Sequence, residues 1–317
     1  MRRRTVGLGL ALLLALNACS VVSVDLTPPV RPLKETTVEG AGPDKILLMD
    51  LAGVLAEEPL LTLESRPQVP LLARVREEIE KAERDDHVRA LVLRINSPGG
   101  TVTASDILYH EVVGLKERRK IPVVASILDV GASGGYYVAL AADRIVAHPT
   151  TVTGSIGVLM LTVNSGGLLE KIGVSANYIK SGEFKDMGSP FRALRPEERA
   201  IFQELIDRFY GRFVGLVARS RRLDEARVRA FADGRVYTAS EALDLGLVDR
   251  IGYLEDAIAL AKQAAGLTRA RIIAYHRPRH YRATIYSSAE PALPAPGLAE
   301  AARLAVSGPR FLYLWWP

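Results

Sequence analysis

From position 45 to about 265 the chain alternates short apolar runs with amphipathic stretches. Segments 45–51, 90–95, 121–128 and 144–147 are nearly continuous apolar runs, the pattern of strands covered on both faces. Segments 69–84 and 103–119 carry apolar residues at helical spacing, and Thr103 or Ser105 stands near the start of the second as its cap. A helix of small residues is predicted over 134–142, a strand over 174–180, and a long helix over 196–220 with Pro196 in its first turn. Two more helices follow at 239–245 and 254–265. Strands alternating with helices imply parallel pairing through crossover connections, an α/β fold. Residues 20–43 mix Pro, Val, Thr and charge without periodicity and read as an extended tether. The chain then reads as one domain over 44–266 with an extension over 267–317. That extension contains a proline-alanine stretch and a last apolar run, 311–317, which is expected to pack on the body, with an oligomer interface or a membrane contact as the alternatives.

The first residues differ from the rest. Arg2, Arg3 and Arg4 precede an apolar run from Val6 to Leu16, and small residues follow at Ala18 and Cys19. This is the order of an export signal, and it is short for a membrane span. Leu16-Asn17-Ala18-Cys19 is similar to a lipobox, in which the cysteine is lipidated and becomes the mature N-terminus; the alternative is an uncleaved signal anchor. Segment 1–19 therefore predicts a membrane-tethered lipoprotein of the cell envelope, facing the periplasm or exterior. Cys19 is the chain's one cysteine, so no internal disulfide forms. Three of the 41 basic residues lie in this segment, and without them the formal charge drops from +5 to +2. So small a balance argues for no nucleic-acid partner.

Two glycine-rich stretches follow predicted strands: Asn96-Ser97-Pro98-Gly99-Gly100 and Gly131-Ala132-Ser133-Gly134-Gly135. In open α/β sheets, sites are built where a strand gives way to a helix. Ser133 stands at such a point, and Gly134 opens the helix. Helix N-termini present unpaired N–H groups and a partial positive charge, so the Gly134 N–H can face an oxygen on a carbon that Ser133 attacks. Gly100 offers a second donor, and two such donors make an oxyanion hole. The same SGG pattern also serves as a tight turn packing a helix close to a sheet.

A nucleophilic serine needs a base. Of the five histidines, His87 and His110 lie in a charged loop and a helix, and His276 and His280 in the basic tail segment. His148, ahead of Pro149, is best placed to approach Ser133, although a histidine in such a turn is more often structural. A lysine serves when its pKa falls from roughly 10.4 to near 7, which costs about 4 kcal/mol; burial and polar neighbours supply this. Lys180 and Lys185 stand in the glycine-punctuated stretch 179–190, yet lysines are mostly solvated.

The motifs INSPGG, GASGGYY, AADRIV with TVTGSIGV, and SGEFKDMGSP, in this order, resemble the signal peptide peptidase A family over roughly residues 44–265. These are membrane-bound serine peptidases of the Ser/Lys dyad type. The resemblance implies a Clp/crotonase-like fold of stacked ββα units with largely parallel sheets. It implies Ser133 as nucleophile, Lys185 and not Lys180 as general base, Ser155 as the hydroxyl that orients the lysine, and Gly100 and Gly134 as oxyanion donors. It implies apolar peptide substrates such as signal-peptide remnants or other membrane-associated or misfolded segments, with small residues at the cleavage point. It also implies a ring of identical chains, in which serine and lysine can come from neighbouring protomers. No cofactor or metal is called for, and no Cys/His cluster suits zinc. Two other readings are an acyl-CoA hydratase or isomerase of the crotonase type, disfavoured by export, and a non-catalytic envelope scaffold, which would need neither Ser133 nor Lys185.

Overall fold

The computed structural model describes residues 32–57, 69–277, 284–285 and 310–315. Cys19, the export segment and the proline-alanine stretch lie outside them.

The long apolar runs form the centre of one sheet. Strands β1 (Lys34–Gly40), β2 (Lys45–Ala52), β3 (Val88–Ser97), β5 (Val123–Ala132), β6 (Arg144–Ala147), β10 (Arg250–Ile251) and β11 (Arg271–His276) lie in the order β1-β11-β2-β3-β5-β6-β10. All neighbours from β11 to β10 are parallel, and β1 alone is antiparallel, on β11. Past the end of β5 its last residues pair in parallel with β7 (Val152–Gly154), which pairs antiparallel with β9 (Val236–Thr238). The expected α/β architecture on a largely parallel sheet is thus present.

Alternate residues of the central strands feed two cores, which explains their continuous apolarity. Leu47, Met49, Leu91, Leu93, Val123 and Ile127 face helices α1 (Leu71–Glu83), α2 (Val102–Arg119), α3 (Gly134–Ala139) and α5 (Pro196–Arg221). Ile46, Leu48, Ala90, Val92 and Val124 face α8 (Leu254–Ala264), which contributes Leu254, Ala257, Ile258 and Ala261. Shorter helices α4 (Gly166–Lys171), α6 (Glu225–Phe231) and α7 (Ala239–Asp244) complete the helical set among the described residues. A small antiparallel sheet joins β4 (Gly99–Thr101), β12 (Arg310–Leu314) and β8 (Leu159–Leu161), with β12 in the middle.

Four expectations change. Strand β1 falls within the expected tether, and β11 within the expected extension; each completes its hydrogen bonds on the other. The cap of α2 is Thr101, whose Oγ1 accepts the Ala104 N–H at 3.1 Å. Ser105 instead donates its hydroxyl to the Thr101 carbonyl at 2.9 Å. Residues 174–180 form no strand: they find no sheet edge to pair with, and Val174, Tyr178 and Ile179 are exposed. The apolar run near residue 311 does pack on the body, as a strand.

Candidate active site

Strand β5 delivers the chain to Ser133, which holds φ 51° and ψ −115° before α3 begins. A non-glycine residue in that region is strained and persists only where its surroundings fix it. Here the Ser133 N–H donates to the Gly154 carbonyl at 2.8 Å, and its carbonyl accepts the Tyr137 N–H at 2.8 Å. The hydroxyl makes no cap to α3, and the residue is 1% exposed. Gly134 is required by close approach: a Cβ there would lie 2.3 Å from Ser105 Oγ and 3.0 Å from the Tyr313 carbonyl oxygen.

The glycine loop after β3 is pinned from below. Buried Ser97 donates its hydroxyl to the Gly53 carbonyl at 2.6 Å and accepts the Gly99 N–H at 3.1 Å. Leu55 then bridges the loop, donating to the Gly99 carbonyl and accepting the Thr101 N–H, both at 2.8 Å. A Cβ on Gly100 would stand 1.9 Å from the Leu55 oxygen, so no larger residue fits. Alternation along an extended chain turns the Gly100 N–H and C=O away from Leu55. They face Tyr313, its partner on β12.

Ser155 sits beside Ser133 by register. Ala132 and Gly154 are paired across β5 and β7, and each serine is the next residue. Ser155 is also left-handed, at φ 47°, is mostly buried, and donates its N–H to the Arg235 carbonyl at 2.7 Å. Ser133, Ser155, Gly134 and the Gly99-Gly100 loop therefore converge on one end of the sheet.

Lys185 makes no hydrogen bond to any of them. It lies exposed in the irregular stretch between α4 and α5, with its N–H on the Gly182 carbonyl at 3.2 Å. No hydrogen bond joins its ammonium to the Ser133 hydroxyl. Lys180, by contrast, gives its ammonium to Asp186 at 2.6 Å and to the Glu183 carbonyl at 3.0 Å. Arg192 ties Asp186 to Glu198, the carboxylate buried at the start of α5. The Arg192 hydrogen bond, then that of Lys180, holds the Asp186 carboxyl far below the usual carboxylate range. Arg192, followed by the Arg195 N–H, draws Glu198 down to about 2 against the opposing effect of burial.

His148 shares a hydrogen bond between Nδ1 and Thr150 Oγ1 at 2.9 Å and meets Tyr253 edge-on, a packing role. Three contributors escape reading from the sequence: Ser97, Leu55 and Tyr313. Ser97 acts through its hydroxyl on backbone groups and Leu55 through its own backbone, contacts that no spacing announces. Tyr313 has a faint signal, an apolar run bounded by Gly308 and Pro309.

Fold and site together define an α/β protein with a strained serine at the carboxyl edge of a parallel sheet, flanked by glycine N–H groups. Residues 116–268 match the family model described as Peptidase family S49. A relative in Enterococcus faecium, provisionally named signal peptide peptidase SppA, is 39% identical over 242 residues, 76% of this chain and 70% of its own. The chloroplastic serine protease SPPA of Arabidopsis thaliana is 40% identical over 192 residues, 60% of this chain and 28% of its own. Protease 4 of Haemophilus influenzae is 34% identical over 221 residues, 70% of this chain and 35% of its own. Among solved structures, ClpP1 from Listeria monocytogenes aligns with 66% of this chain and 92% of its own, at 19% identity and a TM-score of 0.42. The chain belongs to peptidase family S49, and within it to the signal peptide peptidase SppA group.

Proposed function

We propose that this protein is a serine endopeptidase with a Ser133/Lys185 dyad that cleaves apolar peptides, such as signal-peptide remnants, at the outer side of a membrane. The observation that carries the reading is Ser133 itself, held in a strained turn at the start of α3 beside Gly134 and the Gly100 loop. Neutral Lys185 takes the Ser133 proton as Oγ attacks the peptide carbonyl carbon. The resulting oxyanion is held by the N–H groups of Gly134 and Gly100, a contribution of a few kcal/mol per donor. Collapse expels the amine, which receives the proton from Lys185. Water, deprotonated by the same lysine, then releases the acyl group and restores the serine.

Lys185 meets Ser133 in this reading through a second copy. The stretch that bears it exposes Leu168, Ile172, Val174, Tyr178, Ile179, Phe184 and Phe191, more apolar surface than a free loop leaves in water. Packing that surface against a neighbouring chain would desolvate the lysine and lower its pKa. A ring of identical chains meets this need, with the segment ending at Cys19 as its lipid tether. The pairing of Lys180 with Asp186 supports Lys185 as the base.

The test is hydrolysis of an apolar peptide by the full chain in detergent, beside Lys185→Ala and Lys180→Ala. Lys185→Ala should lose about 10³-fold or more in kcat, the scale of a missing general base, while Lys180→Ala keeps most of it. Equal activity in all three proteins would remove Lys185 from the mechanism.

A further inference from the structure

Strand β5 does not keep step with β3 all the way to the site. Ile95 stands opposite Ile127 and Ser97 opposite Gly131, so Asn96 alone is matched by Leu128, Asp129 and Val130. Over the same residues β5 changes neighbours on its far side. It leaves β6, where Ile127 meets Ala147, and joins β7, where Val130 meets Val152. Bulges of this kind leave ladder groups unpaired, bend the strand and re-aim what comes after. Here Gly131, Ala132 and Ser133 come after.

Side chains take over from the interrupted ladder. Asn96 Oδ1 accepts the Val130 N–H at 3.1 Å, while the Asn96 carbonyl accepts the Gly53 N–H at 3.0 Å on the opposite side. Across β5, Thr151 shares its hydroxyl proton between the Ile127 carbonyl, at 3.1 Å, and the Leu128 carbonyl. Thr153 donates its hydroxyl to the Gly131 carbonyl at 2.7 Å. Asn96 thus ties the strand that leads to Gly100 directly to the strand that leads to Ser133.

The bulge decides how far the second glycine turn advances past the first. A Cβ on Gly99 would stand 2.7 Å from the Gly134 nitrogen, and one on Gly135 would stand 2.5 Å from the Ser97 carbonyl oxygen. The two turns therefore touch backbone to backbone. An oxyanion needs both donors within about 2.7–3.1 Å, and a slip of one residue along β5 moves Gly134 by about 3.3 Å. The hole exists only at the stagger that the bulge sets.

We propose that Asn96 is a positioning residue for peptide hydrolysis: through the Val130 N–H it fixes the stagger of β5 on β3, and so the spacing of the Gly100 and Gly134 donors. The inference rests on the reading of Ser133 as nucleophile and of those N–H groups as its oxyanion hole. Donor spacing acts on the transition state, where the negative charge develops, more than on bound substrate. Loss of Asn96 is then felt in kcat and not in KM.

Two variants of the full chain in detergent test it. Asn96→Leu keeps the size and removes the acceptor; Asn96→Asp keeps an acceptor oxygen. Asn96→Leu should lower kcat for an apolar peptide about 10²-fold, the scale of a misplaced donor, with KM within about twofold. Its affinity for a peptide boronate, whose tetrahedral adduct on serine puts an oxygen in the hole, should fall by a similar factor. Asn96→Asp should regain most of both losses. If Asn96→Leu does not fold, Asn96→Ala carries the same expectations. Parental kcat without the acceptor, or equal losses in the Leu and Asp variants, overturns the proposal. Hydrogen exchange over 97–101 and 128–135 reads the stagger without hydrolysis. It should quicken in Asn96→Leu and not in Asn96→Asp, and the same exchange in all three proteins also overturns the proposal. The expected exchange in a parent that hydrolyses nothing keeps the stagger and removes the nucleophile reading instead.

Discussion

The left-handed serines carry the cost of the site. Ser133 and Ser155 both hold positive φ although neither is glycine, and such residues store about 1–3 kcal/mol each. Glycine would adopt the same backbone freely, so its absence at 133 places the hydroxyl above conformational ease. A comparison of Ser133→Gly with Ser133→Ala isolates that strain, since both lose the hydroxyl. Ser133→Gly should be the more stable by about 1 kcal/mol, after the entropy lost by glycine is subtracted. Thermal melting reads this directly, and equal midpoints would mean the turn is not strained. Ser133 was legible in the sequence because glycines flank it and a strand precedes it. Lys185 was legible only through the family motif, because nothing in its spacing separates it from Lys180. The structure distinguishes the two by charge: Asp186 claims Lys180.

At the scale of elements, the ionic chain from Lys180 through Asp186 and Arg192 to Glu198 ties the Lys185 turn to the start of α5. Glu198 titrates near 2 in the folded chain against an ordinary 4.5. A folded pKa below the unfolded one adds stability above the unfolded value and loses it as pH falls. The parent's advantage over Glu198→Gln should therefore be full above pH 4.5 and shrink as pH drops toward about 2. Melting midpoints of both proteins across that range measure it, and a gap independent of pH would exclude Glu198 ionisation as its source. The strands that were legible, β2, β3, β5 and β6, are buried on both faces and read as apolar runs. β1, β4 and β8 were not, for a physical reason: three residues of β4, two of them glycine, carry no periodicity, and β1 is an exposed edge of polar side chains. The converse error at 174–180 has the same root. Apolar composition says that a segment seeks a partner, and not whether the partner is an edge of its own sheet.

For the whole molecule, the question is where that partner comes from. The described residues bury Ser133 and leave Lys185 in solvent, so the proposed dyad makes no bond within one chain. The proposed head-to-tail ring would resolve this, because a heterologous interface brings different surfaces of adjacent copies together and closes without leaving an end. The arrangement predicts complementation between two inactive proteins. Ser133→Ala keeps its lysine and Lys185→Ala keeps its serine, so a mixed ring contains sites in which both survive. Mixed in equal amounts under conditions that allow subunit exchange, the two should regain about a quarter of parental activity, since half the serines are intact and half of their neighbours supply a lysine. A dyad formed within one chain would leave every mixed ring inactive. Hydrolysis by the mixture, with each variant alone as control and size-exclusion chromatography to establish exchange, decides between the two. Recovery near a quarter would place the missing base across the interface and account for the exposed apolar surface around Lys185 by the same contact.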